Sequence, residues 1–435
     1  MRTRRSNRFL ALSLLVSLSA LSAVGCGGSD DDTGTAGSAG SAGTAGSAGT
    51  GGSAGTGGTA GSAGTGGTAG SGGTAGSGGT AGASSLSSER WGTRVWGRTI
   101  ELTRTGRTLW LGTVPMTAPD AAEPSTTLGG LVKLDLDSGV VDVLDTELPQ
   151  VTDADTGLTG AIPTAGVIVD GDRTIVATPQ GLVVGTQGTY TMHSLTVDGQ
   201  SASPTHMALD RAGSRKRLWV STSVGLAQLD ADTLEVVSNV STDDLQGGPG
   251  SIAVDPATGD VFLAIYAADL SSSQLARVAG TDFAVSRLTP GTDTNVPAGQ
   301  VNDVIWSTKK GAAIFAIASW DAQTGGLVEW NGTTATTLAV EGQLGQAARG
   351  EVAEFGTARL AIDDDAGVLI IGGQVIATGP QGFLKGGGLA WLELSSGKLA
   401  GLSTTTSDII GEHVSAARVR PTNQAYLRIA SAALR

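Results

Sequence analysis

The stretch HMALDRAGSRKRLWVSTSVGLAQLDADTLEVV, His206 to Val237, carries four short apolar runs separated by turn residues. The first ends in Asp210. The second is Leu218 to Thr222, the third opens on Gly225-Leu226, and the fourth follows Thr233-Leu234. Runs this short, rich in Val, Leu and Trp and bounded by Gly, Asp and Ser, predict strands of an antiparallel meander. The pattern recurs. Ser251 to Val278 (SIAVDPATGDVFLAIYAADLSSSQLARV) is a second copy, and weaker copies begin near Ile100, Val167, Val304, Leu360 and Ala417. The equivalent second-strand positions are Trp110, Ile175, Trp219, Phe262, Phe315, Ile370 and Tyr426. Their spacing of about 43 to about 65 residues is near the period of propeller blades. Residues 86–435 are therefore expected to form an all-β, seven-bladed β-propeller of four-stranded antiparallel blades. Large side chains at those positions would fill the wedge between blades. Helical periodicity is nearly absent, with room for one short helix within Glu341 to Phe355.

Composition narrows the function classes. The chain has 435 residues, a formal net charge of −13, 68 glycines and one cysteine. Phosphate backbones repel such a chain, which argues against nucleic-acid binding. One cysteine excludes an intrachain disulfide framework and any multi-cysteine metal site.

The N-terminus reads as an export signal over residues 1–25. Arg2, Arg4, Arg5 and Arg8 precede an apolar run from Phe9 to Val24, too short and serine-rich for a membrane span. The run ends in Ala23-Val24-Gly25-Cys26, which resembles the lipobox of bacterial lipoproteins, although Ala23 stands where leucine is more usual. The resemblance implies a diacylated Cys26, a membrane partner through that lipid (palmitate or a similar chain), and a place in the cell envelope, the outer membrane favoured over the inner. Residues 26–85 then read as the lipidated N-terminus and a disordered linker, in which Thr33 to about Ser85 are all Gly, Ala, Ser and Thr, with no apolar side chains able to offset chain entropy. Coil statistics give it an r.m.s. span of roughly 40 Å.

Within the blades, LWLGT (Leu109 to Thr113) and LWVSTSVGLAQLD (Leu218 to Asp230) resemble the two-component regulator propeller repeat. Pro249 to Ala264 resembles the NHL and YVTN repeats and, more distantly, gluconolactonase-like propellers. This implies blades, and function only by analogy.

Catalytic motifs are missing from residues 86–435: there is no GxSxG, P-loop or HExxH there, and His193, His206 and His413 are not spaced as metal ligands. The acidic groups around Asp153, Asp135 and Asp363 read as turns. Aligned on the Asp255 turn, the innermost strands start at Thr99, Gly166, His206, Ser251, Asp303, Arg359 and Ala416, with Asn302 and His413 alongside. His206, Asn302, Asp303 and Arg359 are thus expected to converge at the mouth of the central channel, where a polar ligand would bind. The leading reading is a monomeric, tethered binding module for a protein, glycan or envelope component, with no cofactor beyond the lipid. The rival is a hydrolase or lyase using a metal held by Glu101, Asn302 and Asp303, as the gluconolactonase resemblance implies. The insertions at about 114–129 and 374–387 have no assigned role. Two closure features are also expected: Arg90 to Trp96 as the outer strand of the last blade, and a Glu101–Arg418 ion pair across the junction.

Overall fold

The computed structural model describes residues 98–402, except 106–107, 115–129, 136–140, 145, 153–156, 158, 320, 322, 350–354, 375, 379–382 and 386–387, together with 414–416 and 430–431. The signal, Cys26, the linker, Arg90 to Trp96, His413, Arg418 and Tyr426 lie outside the described residues, as do the insertion at 115–129 and Asp153 and Asp155.

Among the described residues, six four-stranded antiparallel meanders follow one another. Blade I is Arg98–Thr105, Thr108–Val114, Gly130–Asp135 and Val141–Val143. Blade II is Gly166–Asp170, Arg173–Thr178, Gly181–Thr186 and Thr189–His193. Blade III is Pro204–Asp210, Arg217–Thr222, Gly225–Asp230 and Val236–Ser241. Blade IV is Gly248–Val254, Val261–Tyr266, Ser273–Val278 and Val285–Leu288. Blade V is Gln300–Ser307, Ala312–Ala318, Gly326–Trp330 and Ala335–Val340. Blade VI is Gly356–Asp363, Val368–Gln374, Gly388–Glu393 and Leu399–Leu402, its second and third strands separated by the hairpin Ile376–Thr378 and Phe383–Lys385. The first strand of each blade lies against the first strand of the next, the arrangement of a β-propeller. A short pair, Val414–Ala416 with Ala430–Ser431, has its first strand beside both blade VI and blade I.

The second strands explain the apolar runs. Val261–Tyr266 and Ala312–Ala318 are buried at every position, because neighbouring blades cover both faces of the sheet. Fourth strands alternate instead, as Thr189–His193 does, since one face meets solvent. The wedge side chains pack as expected: Trp219 meets Phe283 edge-on at 6.1 Å, and Phe262 meets Trp330 edge-on at 5.6 Å. The Gly-Leu signal has a steric cause. A Cβ on Gly225 would run into the Val240 carbonyl of the fourth strand, and φ there is +140°. Thr222 Oγ1 closes the turn by donating to the Gly225 carbonyl at 2.8 Å.

Two helices occur among the described residues. α1 (Thr242–Leu245) is capped by Ser241, and α2 (Glu341–Arg349) falls within the stretch where a helix is expected. No helix among the described residues is long and apolar enough to cross a membrane.

Candidate functional site: the central channel

Five of the six innermost strands share a defect, which Gly166–Asp170 of blade II lacks. The pairing of first and second strands slips at a β-bulge between Thr99 and Glu101, Pro204 and His206, Pro249 and Ile252, Val301 and Asp303, and Thr357 and Arg359. A bulge re-aims side chains and commonly sits beside a site. Counting back two residues from the partner of each wedge side chain, the register equates Glu101, Gly166, His206, Ser251, Asn302 and Arg359. Glu101 and Asn302 thus occupy the positions that the sequence alignment gives to Thr99 and Asp303.

Around these bulges, side chains from four blades interact. Asp303 Oδ1 accepts from Ser251 Oγ at 2.6 Å and from the Val304 amide at 3.0 Å, while Oδ2 accepts from the Leu360 amide at 2.9 Å. Asn302 Nδ2 donates to the Thr357 carbonyl at 2.8 Å, fastening blade V to blade VI. Tyr266 donates to the Val301 carbonyl at 2.7 Å, and burial raises its pKa. The charge of Arg359 acts on both Tyr266 and His206.

His206 and Arg359 are the least committed members. His206 Nδ1 is 3.3 Å from Thr205 Oγ1. The ring lies deep in the molecule yet is partly reached by water. Burial first, then the Arg359 charge, lowers its pKa to about 3, so it is neutral at ordinary pH. The Arg359 side chain is 16% exposed, and its nearest carboxylate oxygen, Asp303 Oδ1, is 3.8 Å away. That is too long for a hydrogen bond, so its N–H groups find no acceptor among the described residues.

Glu341 and Tyr266 escape the sequence reading as inter-strand fasteners. Glu341 is fully buried at the start of α2. Its Oε2 accepts from Ser319 Oγ at 2.6 Å and from the Ser319 amide at 3.1 Å, and its Oε1 accepts from the Thr357 amide at 2.6 Å. The acidic turn at Asp363 is a turn indeed. Asp363 caps the Ala366 amide, and Asp364 accepts from Ser307 Oγ, Thr308 Oγ1 and the Thr308 amide across the blade V–VI seam.

The metal implied by the gluconolactonase resemblance does not fit these residues. Asp303 spends both carboxylate oxygens and Asn302 its amide nitrogen on blade-to-blade hydrogen bonds, and no group of three or more metal-ligating residues is assembled among the described residues.

A β-propeller fold whose innermost strands carry hydrogen-bonded polar side chains is the class these observations define. No protein-family model and no curated protein matches the chain. Solved structures are similar in fold. PorZ, a bacterial surface component of the type-IX secretion system of Porphyromonas gingivalis, aligns at 13% identity and a TM-score of 0.52, over 77% of this chain and 45% of that one. The extracellular domain of BT4673 from B. thetaiotaomicron, described as a one component system, aligns at 11% identity and a TM-score of 0.46, over 71% and 37%. The Dos1 propeller aligns at 11% identity and a TM-score of 0.48, over 75% and 87%. The chain spans less than half the length of PorZ and BT4673.

Proposed function

We propose that the chain is a lipid-tethered binding module of the cell envelope, anchored through Cys26, whose propeller takes an acidic group of a protein, glycan or envelope component at the channel. One observation carries this: Arg359, 3.8 Å from its nearest carboxylate oxygen, makes no hydrogen bond among the described residues, and its charge reaches a neutral His206 on another blade. A guanidinium in that state favours a carboxylate or similar anion. The fold shared with PorZ, a surface component, is consistent with an envelope location. The finer architecture belongs to the same proposal. Seven blades close the ring, with Val414–Ala416 as the innermost strand of the seventh, Arg90 to Trp96 as its outer strand, and Glu101 paired with Arg418. Its support is the position of Val414–Ala416 beside the innermost strands of blades VI and I.

D-glucuronate is a suitable probe. Thermal stabilisation of the full-length protein in detergent, lost in Arg359→Gln, is the expected result. Equal shifts in both proteins would overturn the channel site. Separately, Cys26→Ser should move the protein from the membrane to the soluble fraction, and unchanged fractionation would overturn the anchor.

A further inference from the structure

Trp110 breaks a rule of this fold. Its counterparts Ile175, Trp219, Phe262, Phe315 and Ile370 are at most 2% exposed. Trp110 is only half-buried and lines a cleft of about 300 Å³ between blades I and II. The cleft opens at the turn end of the innermost strands, beside Gly171 and Asp172, away from the bulges of the channel site.

Pairing shows what opened it. The wall that covers Trp219 in blade IV is a cross-strand row, Val254, Val261, Val278 and Val285, topped by Phe283. The same row in blade II is Val169, Thr174, Gly185 and Tyr190. Gly185 supplies no side chain where Val278 fills space. The connection that carries Phe283 in blade IV is here only Gln187 and Gly188, both at positive φ, a tight hairpin turn that reaches over nothing. Tyr190 folds onto the bare Gly185, where a Cβ would run into its ring. Burial and the Glu147 charge push its hydroxyl up to about 12, so it stays protonated.

We propose that this cleft binds the pyranose ring of a neutral glycan, stacked on Trp110 and hydrogen-bonded through Asp172, Thr174 and Gln187. The electron-rich face of an indole attracts the slightly positive C–H face of a sugar ring. A carboxylate, a hydroxyl and an amide at its edge suit vicinal hydroxyls, and a pocket of this volume holds a small ring. Lys133, cross-strand from Trp110, holds its ammonium over the indole at 5.8 Å from the ring centroid, outside the cleft lining. The site is independent of the channel reading.

The test is calorimetry and saturation-transfer NMR on the full-length protein in detergent, with oligosaccharides of laminarin, mannan and xylan as probes. At least one should bind saturably, and Trp110→Ala should weaken it about thirtyfold or more. The double variant Gly185→Val/Tyr190→Val rebuilds the wall of blade IV. It should keep the fold and its melting temperature while losing binding. Arg359→Gln should leave saccharide binding unchanged, which separates this site from the channel. No saturable binding of any of the three probes, binding indifferent to both cleft variants, or binding of aromatic peptides in place of sugars would overturn the proposal.

Discussion

His206 gives the channel a pH signature. Its folded-state pKa of about 3 lies below the ordinary 6.5, so between those values the unfolded chain binds a proton that the folded protein refuses. Stability therefore rises with pH across that window, with a slope of at most about 1.4 kcal/mol per pH unit. His206→Gln should flatten this acid-side dependence, read as melting temperature against pH. Glu341 runs the other way. Burial raises its pKa, so its ionisation subtracts stability as pH rises through the folded value. Its two oxygens nevertheless both accept from backbone amides. Glu341→Gln would turn an amide N–H toward one of those donors and should cost about 1–3 kcal/mol in denaturant unfolding. The equivalence of His206 and Arg359 on their innermost strands was legible from repeat alignment alone. The work of Asn302 and Asp303 between blades was not. It depends on a bulge that displaces the register by a residue, and bulges leave no composition signal.

The wedge position sorts strands by what covers them. Trp219→Ala should cost about 3–5 kcal/mol, since the indole is wholly enclosed and leaves a cavity. Trp110→Ala should cost about 1 kcal/mol, because one side of that ring already faces the cleft. Chemical denaturation of the two variants side by side checks this, and equal losses would mean Trp110 is as enclosed as its counterparts. Second strands, Gly-Leu starts and wedge residues could be read in advance because burial on both faces removes polar residues from the run. The cleft could not. It arises from Thr174 and Gly185 in a different blade, and their meaning appears only once pairing sets them against Val261 and Val278.

The whole ring invites a comparison of two deletions. If Arg90 to Trp96 closes the last blade, removing residues 86–97 exposes a strand edge and should lower the melting temperature sharply. Removing 33–80 should leave the melt unchanged, because Gly, Ala, Ser and Thr have little to bury. Calorimetric scans of both proteins read the difference directly. The domain's acidic balance and its strand period were plain from sequence. Closure was legible only as an expectation, since it joins residues far apart in the chain.

The row equivalence between blades II and IV has an engineering consequence. Since neighbouring blades meet through the same register positions, a seam behaves as an exchangeable socket. Val261→Thr with Val278→Gly, and the Phe283 connection shortened to Gln-Gly, should transplant the hollow to Trp219. That indole N–H is buried without a partner and would gain access to water or a ligand. Binding specificity in this scaffold would then be written in the gaps between modules, and new recognition could be grafted seam by seam while the modules themselves stay intact.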